Sequence, residues 1–259
     1  FQGELSQVHF PPLLKYINVN NNSFTGLSPL GSMCATGLGA LQEIYLGYNH
    51  FTGSIPDCIG QFTSLLLLNI EHNTMEGSVP SSMNSLTTLQ TVILSNNMFV
   101  GGLVGVWNST MLQTVDVSNN QFSGSVPYSL FDLRSSSNTD SNGNRNSSII
   151  SFVMAKNCFT GTIAPSVCRA GAMQVLDLSG LHASCVSPVY EVYSYGVSGS
   201  IPDCIFQMPS LIALYITGNG LSGTIPQLST STNMIVLALD YNRLSGTIPT
   251  SIQQWSELQ

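Results

Sequence analysis

The sequence predicts an α/β solenoid, a superhelix of short coils whose parallel strands line a concave face and whose return segments form short helices or 3₁₀ turns on the convex side. Three observations predict it. An asparagine recurs in register at Asn22, Asn49, Asn73, Asn97, Asn120, Asn157, Asn219 and Asn242, with Leu181 standing at the one substituted position. Ahead of each comes an apolar triplet at i, i+3 and i+5, such as Leu41, Ile44, Leu46 or Leu211, Leu214, Ile216. Finally, only 7% of residues are charged, against roughly 25% in an average soluble protein, so polarity is carried by Asn, Ser, Thr and Gly.

The last two members of each triplet alternate with polar residues, the period-2 signature of a short strand with one buried face. Nine such strands, stacked in parallel, make a concave sheet. The Asn that follows turns inward, where its amide can pair backbone groups that a buried bend would leave unsatisfied. After the Asn come segments such as FTGSIP, MEGSVP and LSGTIP. These supply an apolar plug, a Gly for close backbone approach and a Pro that ends pairing. The remaining half coil, as in Ser81–Leu89, is expected to form a short helix or 3₁₀ turn with Met83, Leu86 and Leu89 facing the core.

The coil period is 23 to 27 residues except for steps of 37 and 38, so two insertions interrupt it, near 134–148 and 180–196. The first is all turn formers and polar residues and reads as a surface loop. The second carries Tyr190, Tyr193, Tyr195 and Cys185 and reads as a packed segment. A repeat of this kind cannot bury its own apolar face, so residues 1–259 are expected to form one elongated domain. FQGEL at Phe1–Leu5 matches the tail of a coil and Trp255–Gln259 the start of another, which predicts a fragment of a longer array.

Thirteen acidic and 6 basic residues give a net charge of −7, which makes a phosphate backbone or an anionic membrane surface a poor partner. No apolar run reaches the 18 or so residues of a membrane-spanning helix, and LLLL at Leu65–Leu68 fits a buried strand. There is no HExxH, GxSxG or P-loop. The histidines His9, His50, His72 and His182 show no metal-ligand spacing. No catalysis and no cofactor are therefore expected within this chain.

With the residues of Leu211–Pro226, LIALYITGNGLSGTIP, read as LxxLxLxxNxLxGxIP, the chain resembles the plant-specific type of leucine-rich repeat. It is similar to the extracellular repeats of plant receptor-like kinases, receptor-like proteins and polygalacturonase-inhibiting proteins, and to kinetoplastid surface antigens. The LxGxIP hallmark recurs at Ile55-Pro56, Val79-Pro80, Val126-Pro127, Ile201-Pro202, Ile225-Pro226 and Ile248-Pro249, while Val104 and Ala164 replace the expected Pro. The resemblance implies a leucine-rich repeat superhelix at the cell surface or outside the cell. It also implies a protein, peptide or glycan ligand and a co-receptor among the partners. Two other roles are consistent with it: inhibition of a secreted polysaccharide-degrading enzyme, and a structural coat or adhesion protein.

Six cysteines fit an oxidising compartment. Cys34, Cys58 and Cys204 each stand seven residues before the first triplet leucine, so Cys34 and Cys58 lie on consecutive coils, about 5 Å apart at sheet spacing, and are expected to bridge. For the rest, Cys168 with Cys204 and Cys158 with Cys185 is the first choice, Cys168 with Cys185 the competitor. Sequons begin at Asn21, Asn108 and Asn146.

A ligand is expected on the solvent side of the concave sheet, where a rigid scaffold presents residues that the core does not dictate. Those positions hold Glu43, Tyr45 and Tyr48; Glu71 and His72; Asp116; Lys156; Asp177; Tyr215 and Thr217; and Asp240 and Tyr241. Tyrosines beside carboxylates suit a polypeptide or a sugar, because Tyr joins a large apolar face to a hydrogen-bonding tip.

Overall fold

In the computed structural model, residues 1–5, 7–103, 105, 107–132, 147–181, 196–227 and 233–254 are described. Among them, nine three-residue strands form one parallel sheet. In chain order they are Tyr16–Asn18, Glu43–Tyr45, Leu67–Asn69, Thr91–Ile93, Thr114–Asp116, Ser151–Val153, Val175–Asp177, Ala213–Tyr215 and Val236–Ala238. The register aligns the apolar centre of every strand: Ile17, Ile44, Leu68, Val92, Val115, Phe152, Leu176, Leu214 and Leu237. Val115 still pairs with Phe152 and Leu176 with Leu214. Both long steps are thus absorbed without shifting the frame of the stack.

The core is one continuous column. From Ile44 to Leu214 the strand centres are fully buried, and each such side chain contributes about 1.5–3 kcal/mol relative to exposure. Behind the sheet, a second column is built from the first apolar residue after each Asn. Phe24 stacks on Phe51, Phe99 on Phe122 and Phe122 on Phe159 at centroid distances of 6.2, 6.0 and 6.3 Å.

The convex side is formed as expected from short pieces: one helix at Leu30–Ala35, and 3₁₀ turns at Asp57–Gln61, Ser81–Ser85, Tyr128–Asp132, Pro165–Arg169, Asp203–Gln207 and Thr250–Gln254. Met83, Leu86 and Leu89 are buried there. Pro56, Pro80 and Pro202 cap these turns in extended conformation, which is where a strand must stop and a turn begin.

The FTGSIP-like segments do more than plug the core. They are strands themselves, in a three-stranded and a seven-stranded parallel sheet that run from Gln2–Glu4 to Arg243–Leu244. The alternation that drives this is short: in Ser23–Leu27 and Gln121–Ser125 only the Phe is buried and its neighbours face outward. The glycine of these segments adopts a positive φ, 81° at Gly53 and 83° at Gly246, each just past its strand, and a Cβ there would stand 2.9 Å from a side-chain carbon of the preceding coil.

The asparagine ladder ties the coils. Asn73 donates from Nδ2 to Leu46 O of the preceding coil and to Ile70 O and Glu71 O of its own, at 3.0, 3.1 and 3.0 Å. Its Oδ1 accepts from Phe51 N at 2.9 Å. The same set of bonds recurs at Asn49, Asn97, Asn120, Asn157, Asn219 and Asn242. Each rung pairs four backbone groups of the bend, and at Asn49, Asn73, Asn120, Asn157 and Asn219 the side chain that does so is buried. At Leu181 the side chain is buried and apolar, so position 181 supplies no amide rung between its coil and that of Asn157.

Two disulfides brace the convex side. Cys34 bridges Cys58 and Cys168 bridges Cys204, with Cα atoms 5.8 and 6.0 Å apart. Cys168 with Cys185, the competing arrangement, is thereby excluded. Cys158 is disulfide-bonded too, and Cys185 lies outside the described residues. No described helix is long and apolar enough to cross a membrane.

Candidate ligand-binding face

The concave sheet turns one side of every strand outward in parallel rows. The first row holds Tyr16 and Glu43, the second Tyr45, Asn69, Asp116, Asp177 and Tyr215, in pairing order. Beyond the strands lie a third row, with Glu71, Thr217 and Asp240, and a fourth, the residue just before each ladder position.

The fourth row is conformationally unusual. Asn21, Tyr48, His72, Asn96, Asn119, Lys156 and Tyr241 all have φ between 48° and 57°. Gly180 and Gly218 take the same position at 59° and 63°. Left-handed backbone is tolerable for Asn, whose side chain bonds locally, and costs more for Tyr, His or Lys. The bend demands this conformation so that the next residue, the ladder Asn, can point inward. The row therefore projects side chains to the rim of the concave face whatever they are.

At the N-terminal end these rows converge on a patch. The Tyr45 hydroxyl donates to Glu43 Oε2 at 2.9 Å, and the Tyr16 ring lies 5.5 Å from that of Tyr45. Desolvation of the phenol, followed by the bond to Glu43 and its negative charge, pushes the Tyr45 hydroxyl up to about 12. In the next coil Asn69 Nδ2 donates to Glu71 Oε1 at 2.9 Å, and Glu71 N donates to Asn69 Oδ1 at 3.0 Å. Gly47 makes room for this pair, since a Cβ there would meet Glu71 Cγ at 3.0 Å and Asn69 Oδ1 at 3.1 Å. Tyr48 and His72 stack with centroids 4.2 Å apart and planes 17° from parallel. Glu43, Tyr45 and Glu71 are half-buried, Tyr48 and His72 exposed.

The middle of the face is a carboxylate pair flanking Val153. Asp116 Oδ1 accepts from Ser118 N at 2.9 Å and from Ser118 Oγ at 2.6 Å, and Asp177 Oδ1 accepts from Ser179 N at 2.9 Å. Burial raises the Asp177 carboxyl above its ordinary range. The Ser179 bonds act against that, the Asp116 charge adds to it and Lys156 offsets it in part. The far end presents Tyr215, Thr217, Asp240 and Tyr241, the last 87% exposed.

The fold therefore puts all twelve of these residues on one face but not in one site. Glu43 and Asp240 are separated by seven strand spacings, about 30 Å. Tyr16 belongs to the first patch although it is absent from the residues singled out by pattern. Its signal was available, because YIN in KYINV occupies the same strand positions as EIY in QEIYL. Of the sequon residues, Asn21 is exposed in the fourth row and Asn108 is exposed away from the sheet, whereas Asn146 lies outside the described residues.

Comparison with known proteins agrees with this architecture. A leucine-rich repeat family model matches residues 40–62 and 111–133. Comparison with curated proteins returns no significant match. Among solved structures, the plant peptide hormone receptor RGFR1 in complex with RGF2 is 28% identical with a TM-score of 0.82, over 100% of this chain and 37% of that one. The ectodomain of the Arabidopsis receptor kinase HAESA, in complex with an N-terminally extended IDA peptide hormone, is 26% identical with a TM-score of 0.74, over 100% of this chain and 43% of that one. A plant ice-binding protein, 21% identical with a TM-score of 0.74 over 96% of this chain and 71% of that one, shares the fold. The chain thus spans less than half the length of the two receptors. With its repeat motif, its stacked parallel sheets and these likenesses, the chain has the leucine-rich repeat solenoid fold, with repeats similar to those of the plant receptors.

Proposed function

We propose that this chain is a recognition module that binds an extended polypeptide segment along its concave face, outside the cell or at its surface. The observation that carries the proposal is the face itself: a rigid parallel sheet displaying Tyr45, Tyr48, Tyr215 and Tyr241 among carboxylates, at positions the buried core leaves open. Tyrosines held on a rigid frame bury much area at little entropic cost, which is why they anchor interfaces. The likeness to two receptor ectodomains that hold peptide hormones supports a peptide as the ligand, and one of the similar structures also includes a co-receptor. The disulfides Cys34–Cys58 and Cys168–Cys204 support an oxidising location.

Peptides selected from a displayed library on the immobilised chain provide the test. Their affinity for the triple variant Tyr45→Ala, Tyr215→Ala, Tyr241→Ala is expected to fall tenfold or more. Unchanged affinity would move the site off the concave face.

A further inference from the structure

We infer that Tyr48, Glu71 and His72 form an anchor subsite for a guanidinium group, the side chain of an arginine in the bound polypeptide. This rests on the concave-face reading and narrows it. Three features specify the ligand. The Glu71 carboxylate has one oxygen engaged by a neutral partner, the Asn69 amide, and pairs with no lysine or arginine among the described residues. It keeps acceptor capacity for an incoming donor. The Tyr48–His72 stack presents a flat π surface next to Glu71, whose carbonyl accepts from Tyr48 N at 2.9 Å, and Tyr48 is 44% exposed. A planar guanidinium can lie on such a surface while its N–H fork meets a carboxylate, which a compact ammonium does less well.

The backbone points the same way. Tyr48 and His72 both sit in left-handed conformation, at 54° and 48°, where Gly180 and Gly218 show that the bend accepts glycine. Two bulky rings are thus held at strained positions to form one stacked pair, an arrangement the core does not require. The surrounding face strengthens the charge preference. Glu43, Glu71, Asp116, Asp177 and Asp240 face it against Lys156, so a cationic segment is drawn along the sheet and a phosphorylated or sulfated one is repelled.

The probe is an acetylated, amidated peptide alternating Gly and Arg, compared with its citrulline and lysine counterparts, with the His72 ring protons followed by NMR and assigned through His72→Gln. The arginine peptide should shift the His72 resonances, the citrulline peptide should not, and the lysine peptide should bind more weakly. Glu71→Gln and Tyr48→Ala should each weaken the arginine peptide about tenfold. Glu76→Gln removes the same charge from an exposed position of the seven-stranded sheet and should change affinity less than about twofold. Equal binding of the citrulline peptide, or an equal loss in Glu76→Gln, would overturn the subsite. Binding that depends on Asp177 or Tyr241 but not on Glu71 would overturn it while leaving the concave-face reading intact. Dependence on none of these residues would overturn both.

Discussion

Tyr48 and His72, in successive coils, stack at 4.2 Å although each holds its backbone in the left-handed region. Such conformations cost of order 1 kcal/mol or more per residue unless something else stabilises them. Tyr241 occupies the same row with its side chain 87% exposed, so little packing offsets the cost there. Tyr241→Gly is therefore expected to raise stability by about 0.5–1 kcal/mol in urea denaturation. A loss of stability would show that the Tyr241 ring packs more than its exposure indicates.

The ladder should behave in the opposite way. Asn73 is buried and its amide makes four bonds to backbone of two coils. Asn73→Leu leaves those groups unpaired and is expected to cost about 2–4 kcal/mol by denaturant unfolding. A cost below about 1 kcal/mol would mean that water replaces the amide.

The Tyr45–Glu43 bond has a signature in alkali. The Tyr45 hydroxyl titrates at about 12 in the folded chain, against roughly 10 when unfolded. Below about pH 10 both states hold the proton, so the stabilising bond is fully present and stability does not vary with pH through this group. Between about 10 and 12 the unfolded state has lost it and the folded state has not, so stability falls as pH rises through that window. Tyrosinate absorbance should show late ionisation at Tyr45 and also at Tyr128, whose hydroxyl burial raises, and Glu43→Gln should move only the Tyr45 component down.

Both described disulfides should be found by peptide mapping without reduction. They close loops of 24 and 36 residues, so replacing either pair by Ser is expected to cost about 3–4 kcal/mol. Free thiols at Cys34 and Cys58 would contradict the bridge and weaken the case for an oxidising location.

What the sequence made legible follows from how strongly each feature depends on a single residue type. Strand centres, ladder asparagines and the Cys34–Cys58 bridge depend on spacing alone, because stacking at fixed period converts position in the repeat into position in space. The second set of strands was harder to see. In Ser23–Leu27 the only buried residue is Phe24, and one apolar position looks like a plug until the neighbouring coils supply its hydrogen-bonding partners. The candidate face was legible as a list of outward positions but not as groups. The Tyr48–His72 stack pairs two residues 24 apart in sequence, and it depends on a left-handed φ that neither residue type would suggest. Tyr16 joins the same patch only because its strand pairs with Glu43–Tyr45.

The missing rung at Leu181 has a mechanical consequence. Tension applied along the axis of the solenoid is shared, at most junctions, between strand pairing and an asparagine clamp. Between the coils of Asn157 and Leu181 the strands Ser151–Val153 and Val175–Asp177 still pair, but position 181 adds no amide clamp. The next junction is doubly fastened, by Asn219 to Leu178 O and by the Cys168–Cys204 bridge. Under load the amide share of the grip thus drops at one junction and returns at the next. Because Cys158 on the coil of Asn157 is itself disulfide-bonded, the solenoid should give at that step rather than part.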